Sequence, residues 1–210
     1  MKQETLVRAG AAGMVISGAA LGYSYISHPH HMTPETIAAP FWVVIHALFA
    51  LSLLLGLLGT TALYASTATR SGRLGLAGFL SLFTGMLLIF GLDYYEVLIA
   101  PYLAVHHPEI IAVYGAGDTM GPIAIFFPLA GMLTVVGYAL LALGWMRARV
   151  LSRTVAFALI AAALAFGIGL SPLGGLLSAR ITAAAFGAML VTVGFIAWRS
   201  AGSAFAARTV

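Results

Sequence analysis

The sequence predicts an all-α protein, an integral membrane bundle of six transmembrane helices with both termini on the cytoplasmic side. Three observations predict it. Hydrophobic residues make up 61% of the chain and charged residues only 8%, against roughly a quarter charged in soluble domains. Several apolar runs exceed the roughly 18 residues that a membrane helix needs. The basic residues, counted against those runs, fall almost entirely on one side of the membrane.

The spans cover about 9–27, 41–66, 74–100, 120–146, 151–170 and 181–198, in one domain of residues 1–210. The first is rich in Gly, Ala and Ser, with Tyr23 and Tyr25 at its far end as interfacial aromatics. Its apolar run is long for a signal peptide and no small-x-small cleavage site precedes the next loop, so it reads as a span. That loop, HPHHMTPETIAAP, contains prolines that stop helix continuation. The second span, FWVVIHALFALSLLLGLLGTTALYAS, holds His46 about 9 Å below its outer end at roughly 1.5 Å per residue. The linker TATRSGR carries Arg70 and Arg73 into the third span, which is apolar until Asp93, Tyr94, Tyr95 and Glu96, and Pro101 closes it.

A loop over 102–119 contains His106, His107, Glu109 and Asp118, and part of it suits an amphipathic turn lying in the interface. The fourth span has Pro122 near its start and Pro128 inside, where a kink is expected. The basic linker MRARVLSR and the Pro/Gly turn SPLGGLLSAR separate the last three spans, and the tail RSAGSAFAARTV is expected to be mobile.

Six spans put both termini on one side. By that count Lys2, Arg8, Arg70, Arg73, Arg147, Arg149, Arg153, Arg199 and Arg208 share a face, and Arg180 stands alone on the other. The positive-inside rule makes the first face cytoplasmic, as in a multi-pass protein of the cell (inner) membrane. Of the acids, Glu4 is inside; Glu35, Asp93, Glu96, Glu109 and Asp118 are at or near the outer face, with all six histidines. The net charge of +4 does not mark a nucleic-acid partner, because the bases are scattered singly between spans. The lipid bilayer is the partner, and a homo-oligomer or larger membrane complex is the assembly open to a chain with no extramembrane domain.

Cysteine is absent, which excludes disulfides, thiolate metal sites, iron–sulfur clusters and cysteine nucleophiles. There is no phosphate loop, dinucleotide fingerprint, G-x-S-x-G elbow or retinal-type lysine, Lys2 being the only lysine.

The candidate polar pocket is His46, Asp93 and Glu96, with Trp42, Tyr94 and Tyr95 around it. His46 lies six residues in from Pro40 and Asp93 seven residues back from Ala100, so antiparallel neighbours place them at similar depth. Asp93 and Glu96 share a helix face, while Trp42, His46 and Phe49 form a stripe at i, i+4, i+7. A carboxylate at that depth costs several kcal/mol unless paired, protonated or wetted, which makes it a candidate site; a simple helix-to-helix staple is the competing reading. A second cluster, His28, His30, His31, His106 and His107, offers imidazole ligands for a divalent transition metal. No H-x-x-x-H or H-E-x-x-H spacing occurs. Haem would need a loop histidine such as His106 or His107 to fold inward beside His46.

Trp42 with His46, and the aromatic pair Tyr94 and Tyr95 with Glu96, give residues 40–145 a pattern that resembles a loose group of uncharacterised polytopic bacterial membrane proteins. That resemblance implies a helical membrane fold and no activity. Three functions fit the sequence: a protein binding a small ligand or ion in an outer pocket; a redox subunit holding metal, haem or a quinol bonded to His46; and a small transporter using Pro128 and the intramembrane acids. Tyr94, Tyr95, Tyr102, Trp145 and Trp198 read as interfacial anchors.

Overall fold

A computed structural model describes residues 3–115, 123–171 and 175–206; Lys2, Asp118, Pro122 and Arg208 lie outside the described residues. Every regular element among them is helical: α1 (Gln3–Ser27), α2 (Pro34–Ala38), α3 (Pro40–Leu98), α4 (Ala100–His106), α5 (Pro108–Gly115), α6 (Ile123–Arg147), α7 (Arg153–Gly169) and α8 (Gly175–Ala206). Four helical segments are long and apolar enough to cross a membrane: in α1, in α3 continuing through α4, in α6 and in α8.

The sequence separates a second span from a third by a seven-residue linker, and the structure shortens that linker to one residue. Helix α3 is helical on both sides of Gly72, whose backbone has φ 61° and ψ −151°. Only glycine enters that region cheaply. No atom lies within 4 Å of where its Cβ would be, so conformation and not crowding requires glycine there. The chain reverses at this point. The arms 40–71 and 73–98 run antiparallel, since His46 bonds Asp93 across 47 positions and Tyr64 stacks on Phe79 with centroids 4.5 Å apart.

Around this hairpin the long helices close into a ring: α3 packs on α1 and α6, α7 on α6 and α8, and α8 returns to α1. The interior holds Met14, Leu63, Leu82, Leu141, Leu159 and Val193, all almost wholly buried. An aromatic file ties four of the helices, with Tyr25 edge-on to Phe166, Phe166 stacked on Phe186, and Tyr138 edge-on to Phe186. Seams between helices are made by small residues, because lipid gives apolar surfaces little reason to separate from it and close backbone approach supplies the packing energy instead. Gly78 and Gly85 meet α6, where Gly137 meets Leu82, and Gly187 meets Gly18 of α1.

The two ends differ in chemistry. At one end Arg70 donates to the carbonyl of Ala148 at 3.3 Å and the Arg8 guanidinium lies 5.7 Å from the centre of the Trp198 ring. At the other, α2, α4 and α5 form a small cap whose core is Ile37, Trp42, Ala100, Ala104 and Ile111. The structure thus makes short helices of much of the two expected loops. Thr33 and Thr36 cap α2 reciprocally, and Pro34, Pro101 and Pro108 each start a helix, where a missing N–H costs nothing.

Three other expectations are corrected. Trp145 is fully buried in the ring and does not anchor an interface. Of the tail RSAGSAFAARTV expected to be mobile, residues 199–206 continue α8, as its alanines favour, and 207–210 lie outside the described residues. Helix α8 also starts at Gly175, well before the expected 181, because the apolar Leu176 and Leu177 extend its pattern. Pro128 sits inside α6, which remains one helix.

Candidate functional site at the histidine end

The site grows from one helical stripe. Trp42, His46 and Phe49 project from one side of α3's first arm toward α1 and the second arm. Trp42 is 1% exposed, and its indole N–H donates to the Glu96 carbonyl at 3.1 Å, clamping the arms together. One turn deeper, His46 Nδ1 lies 2.7 Å from Asp93 Oδ1, with the Asp93 side chain 3% exposed and that of His46 11%. Of the two carboxylates open to it in the sequence, His46 takes Asp93. Glu96 is one turn nearer the end of the arm.

A third ring completes the cluster. His28, just past α1, turns inward and packs on both Trp42 and His46, with centroids 5.3 and 5.4 Å away, while Trp42 tilts over His46 at 4.5 Å. Its Nδ1 lies 2.9 Å from the Pro29 carbonyl. Burial holds the His28 imidazole below the ordinary histidine range, nearby His46 and Arg180 push the same way, and the Pro29 bond opposes them. The loop is held by Arg180 of α8, which donates to the His28 carbonyl and, at 3.1 Å, to His30 Nε2.

Two polar atoms of the pair have no hydrogen-bond partner among the described residues. They are His46 Nε2 and Asp93 Oδ2, both buried. Unpaired polar atoms in a bundle interior are costly, and at this pair the fold leaves acceptor capacity unused.

The remaining sequence candidates scatter. Tyr94 is exposed, and Tyr95 is half-buried against the cap. His31 stands 6.4 Å from the His30 ring, His106 packs on Tyr102 at 4.5 Å, and His107 faces Glu109 at 3.4 Å, all on the surface. The five loop histidines therefore do not converge: among the described residues no group of three or more His, Cys, Asp or Glu could hold a metal ion. His28 does fold in beside His46, but two rings in edge contact leave no room for a haem between them. Two shallow crevices lie elsewhere, one apolar between the arms of α3 at Leu53, Leu57, Met86 and Phe90, the other at Thr192, Phe195, Ile196 and Arg199.

Sequence reasoning missed the inward turn of His28 and its tie to Arg180. One signal could have found it: among the described residues Arg180 is the single base at the histidine end, and a lone cation there needs acceptors. No family model matches the chain, and neither a curated protein nor a solved structure is similar to it.

Proposed function

We propose that this is a six-pass inner-membrane protein with cytoplasmic termini that binds a small cation or hydrogen-bond donor at its outer end, through His46 and its partner Asp93. Six passes are supported by the reversal at Gly72, which gives α3 two apolar arms of about 48 and 39 Å, and by α7, about 25 Å long and wedged between α6 and α8. The orientation is supported by the bases: among the described residues Arg180 alone lies at the histidine end.

The observation that carries the binding reading is the buried, unpartnered Nε2 of His46. In the neutral ring that donates Nδ1–H to Asp93, the other nitrogen offers a lone pair, and the carboxylate behind it favours an incoming positive charge. An apolar staple would hold the arms without either atom.

Two measurements test this. A reporter active only outside the cytoplasm, fused to the C-terminus, should give no signal; a strong signal overturns the topology. Tag-free protein in detergent should show a saturable rise in Tm with at least one of zinc(II), nickel(II), silver(I), choline or ethylamine. Occupancy at a hundredfold over Kd stabilises by about 2.7 kcal/mol, which is roughly 5–10 °C for a chain of this size. The rise should vanish in the His46→Leu/Asp93→Met double variant. If no probe separates the two proteins, the pair is a staple and the binding reading falls.

A further inference from the structure

Arg180 ties the loop between α1 and α2 to α8, and the chemistry of that tie depends on a proton. One guanidinium nitrogen donates to the His28 carbonyl and another to His30 Nε2 at 3.1 Å. A guanidinium has donors and no acceptor, so His30 Nε2 must accept, which it does only while that nitrogen carries no proton. A protonated His30 has two donors and a positive charge. The bond then gives way to two cations facing each other at hydrogen-bond distance.

The charged groups around the tie leave that repulsion in place. From α8 the facing group is Arg180 itself, half-buried, with its Nε lacking a partner among the described residues; within the loop it is His31, whose ring lies 6.4 Å from that of His30. The described acids of this end are engaged elsewhere: Asp93 with His46, Glu35 with Thr33, Glu109 with His107, and Glu96 beside Tyr95. Among the described residues no ion pair joins Arg180 to a carboxylate. His30 is exposed, so protons reach it from water. His28 resists the charge, because burial above all, with His46 and Arg180, holds its imidazole below the ordinary histidine range despite the Pro29 bond.

What the tie holds in place is the His28 ring. It packs on Trp42 and His46 with centroids 5.3 and 5.4 Å away, and in that position it covers part of a His46 side chain that is 11% exposed. The two acceptors of Arg180 are two residues apart, so losing one loosens the backbone that sets the ring.

We propose that Arg180 and His30 form an acid-released latch: while His30 is neutral the latch keeps His28 folded against His46, and when His30 is protonated the loop swings away and opens the His46–Asp93 pair to its surroundings. The proposal rests on the binding reading above and names how access to that site is regulated.

The chain has no cysteine, so Met32→Cys in the loop and Leu177→Cys on α8, both at exposed positions, can carry a pair of spin labels without background. In lipid nanodiscs, pulsed electron spin resonance should give one narrow distance distribution at about pH 8, and at about pH 5 roughly half of the molecules should move to a longer, broader one, since histidine changes charge between those values. His30→Gln has an amide oxygen that accepts from Arg180 at either pH, and it should stay narrow at both. Arg180→Gln should be broad at both. At a single neutral pH, diethyl pyrocarbonate should modify His46 about tenfold faster in Arg180→Gln than in the wild type, because the cover is gone. His30 is on the surface, so His30→Gln carries the test even where Arg180→Gln does not fold. The latch is overturned if the wild-type distances do not change with pH, if His30→Gln opens in acid as the wild type does, or if His46 reacts equally fast with the loop open and shut. None of these readings uses a ligand. A probe that stabilises the protein through His46 while the loop stays shut in acid removes the latch and leaves the binding reading; a loop that opens in a protein no probe stabilises does the reverse.

Discussion

At Gly85 the backbones of α3 and α6 are so close that a Cβ would sit 2.7 Å from the Thr134 nitrogen and 2.8 Å from the Ala130 carbonyl. Two turns further along the same arm, Asp93 reaches its neighbour through a 2.7 Å hydrogen bond instead. Both contacts hold helices together in a setting where burying apolar surface gains little against lipid. The seam does so by shape and uses dispersion; the histidine end does so by polarity and must then satisfy what it buries. The difference teaches that mid-bundle seams close on small residues with neutral hydroxyl-to-carbonyl bonds, Ser81 to Leu133 at 2.8 Å and Ser52 to Ser17 at 3.0 Å, so the buried ionisable pair needs a reason beyond holding helices.

The sharpest way to break that comparison is to remove one member of the pair. His46→Ala or Asp93→Ala should each cost on the order of 2–4 kcal/mol in equilibrium unfolding, and the double variant less than the sum, because each single change leaves its partner buried and unpaired. Strictly additive costs would mean that the two groups do not depend on each other. Replacing the pair by Leu and Met should recover most of the stability while losing ligand binding.

Next in size is the seam. Gly85→Ala meets backbone that cannot turn aside, so overpacking of about 1–3 kcal/mol outweighs the roughly 1 kcal/mol that alanine returns in helix propensity. Gly91, on the same arm, has open space where its Cβ would go, and Gly91→Ala should be neutral or stabilising. Equal effects at the two positions, read by thermal unfolding in detergent, would remove the seam from the account.

The smallest effect lies in the cap. Hydrogen bonding from Thr33 holds the exposed Glu35 carboxyl below the ordinary glutamate range. Its folded value is the lower one, so its contribution is present above the unfolded pKa, about 4.3, and is lost as pH falls through the folded value. In Thr33→Ala the Glu35 titration, followed by carbon NMR, should move up toward the ordinary value. An unchanged titration would detach the residue from its cap.

The sequence by itself determined an all-helical chain with segments long and apolar enough to cross a membrane, because bilayer thickness sets the length of an apolar run and run length is a local property. That His46 faces Asp93 or Glu96 was legible for a related reason: two arms joined by a short linker share a depth scale, so counting from Pro40 and from Ala100 brings the residues level, and the structure chose Asp93. Only the tertiary structure decided that the linker contracts to Gly72, that Trp145 faces inward, and that His28 leaves its loop to pack on His46 under the hold of Arg180, 152 positions away. Hydrophobic period and run length carry no information about which helices adjoin when nearly every face is apolar, since lipid and protein interior select the same residues. Side-chain shape, small residues at the seams and the few polar groups chose the neighbours, and those terms exist only once the helices meet.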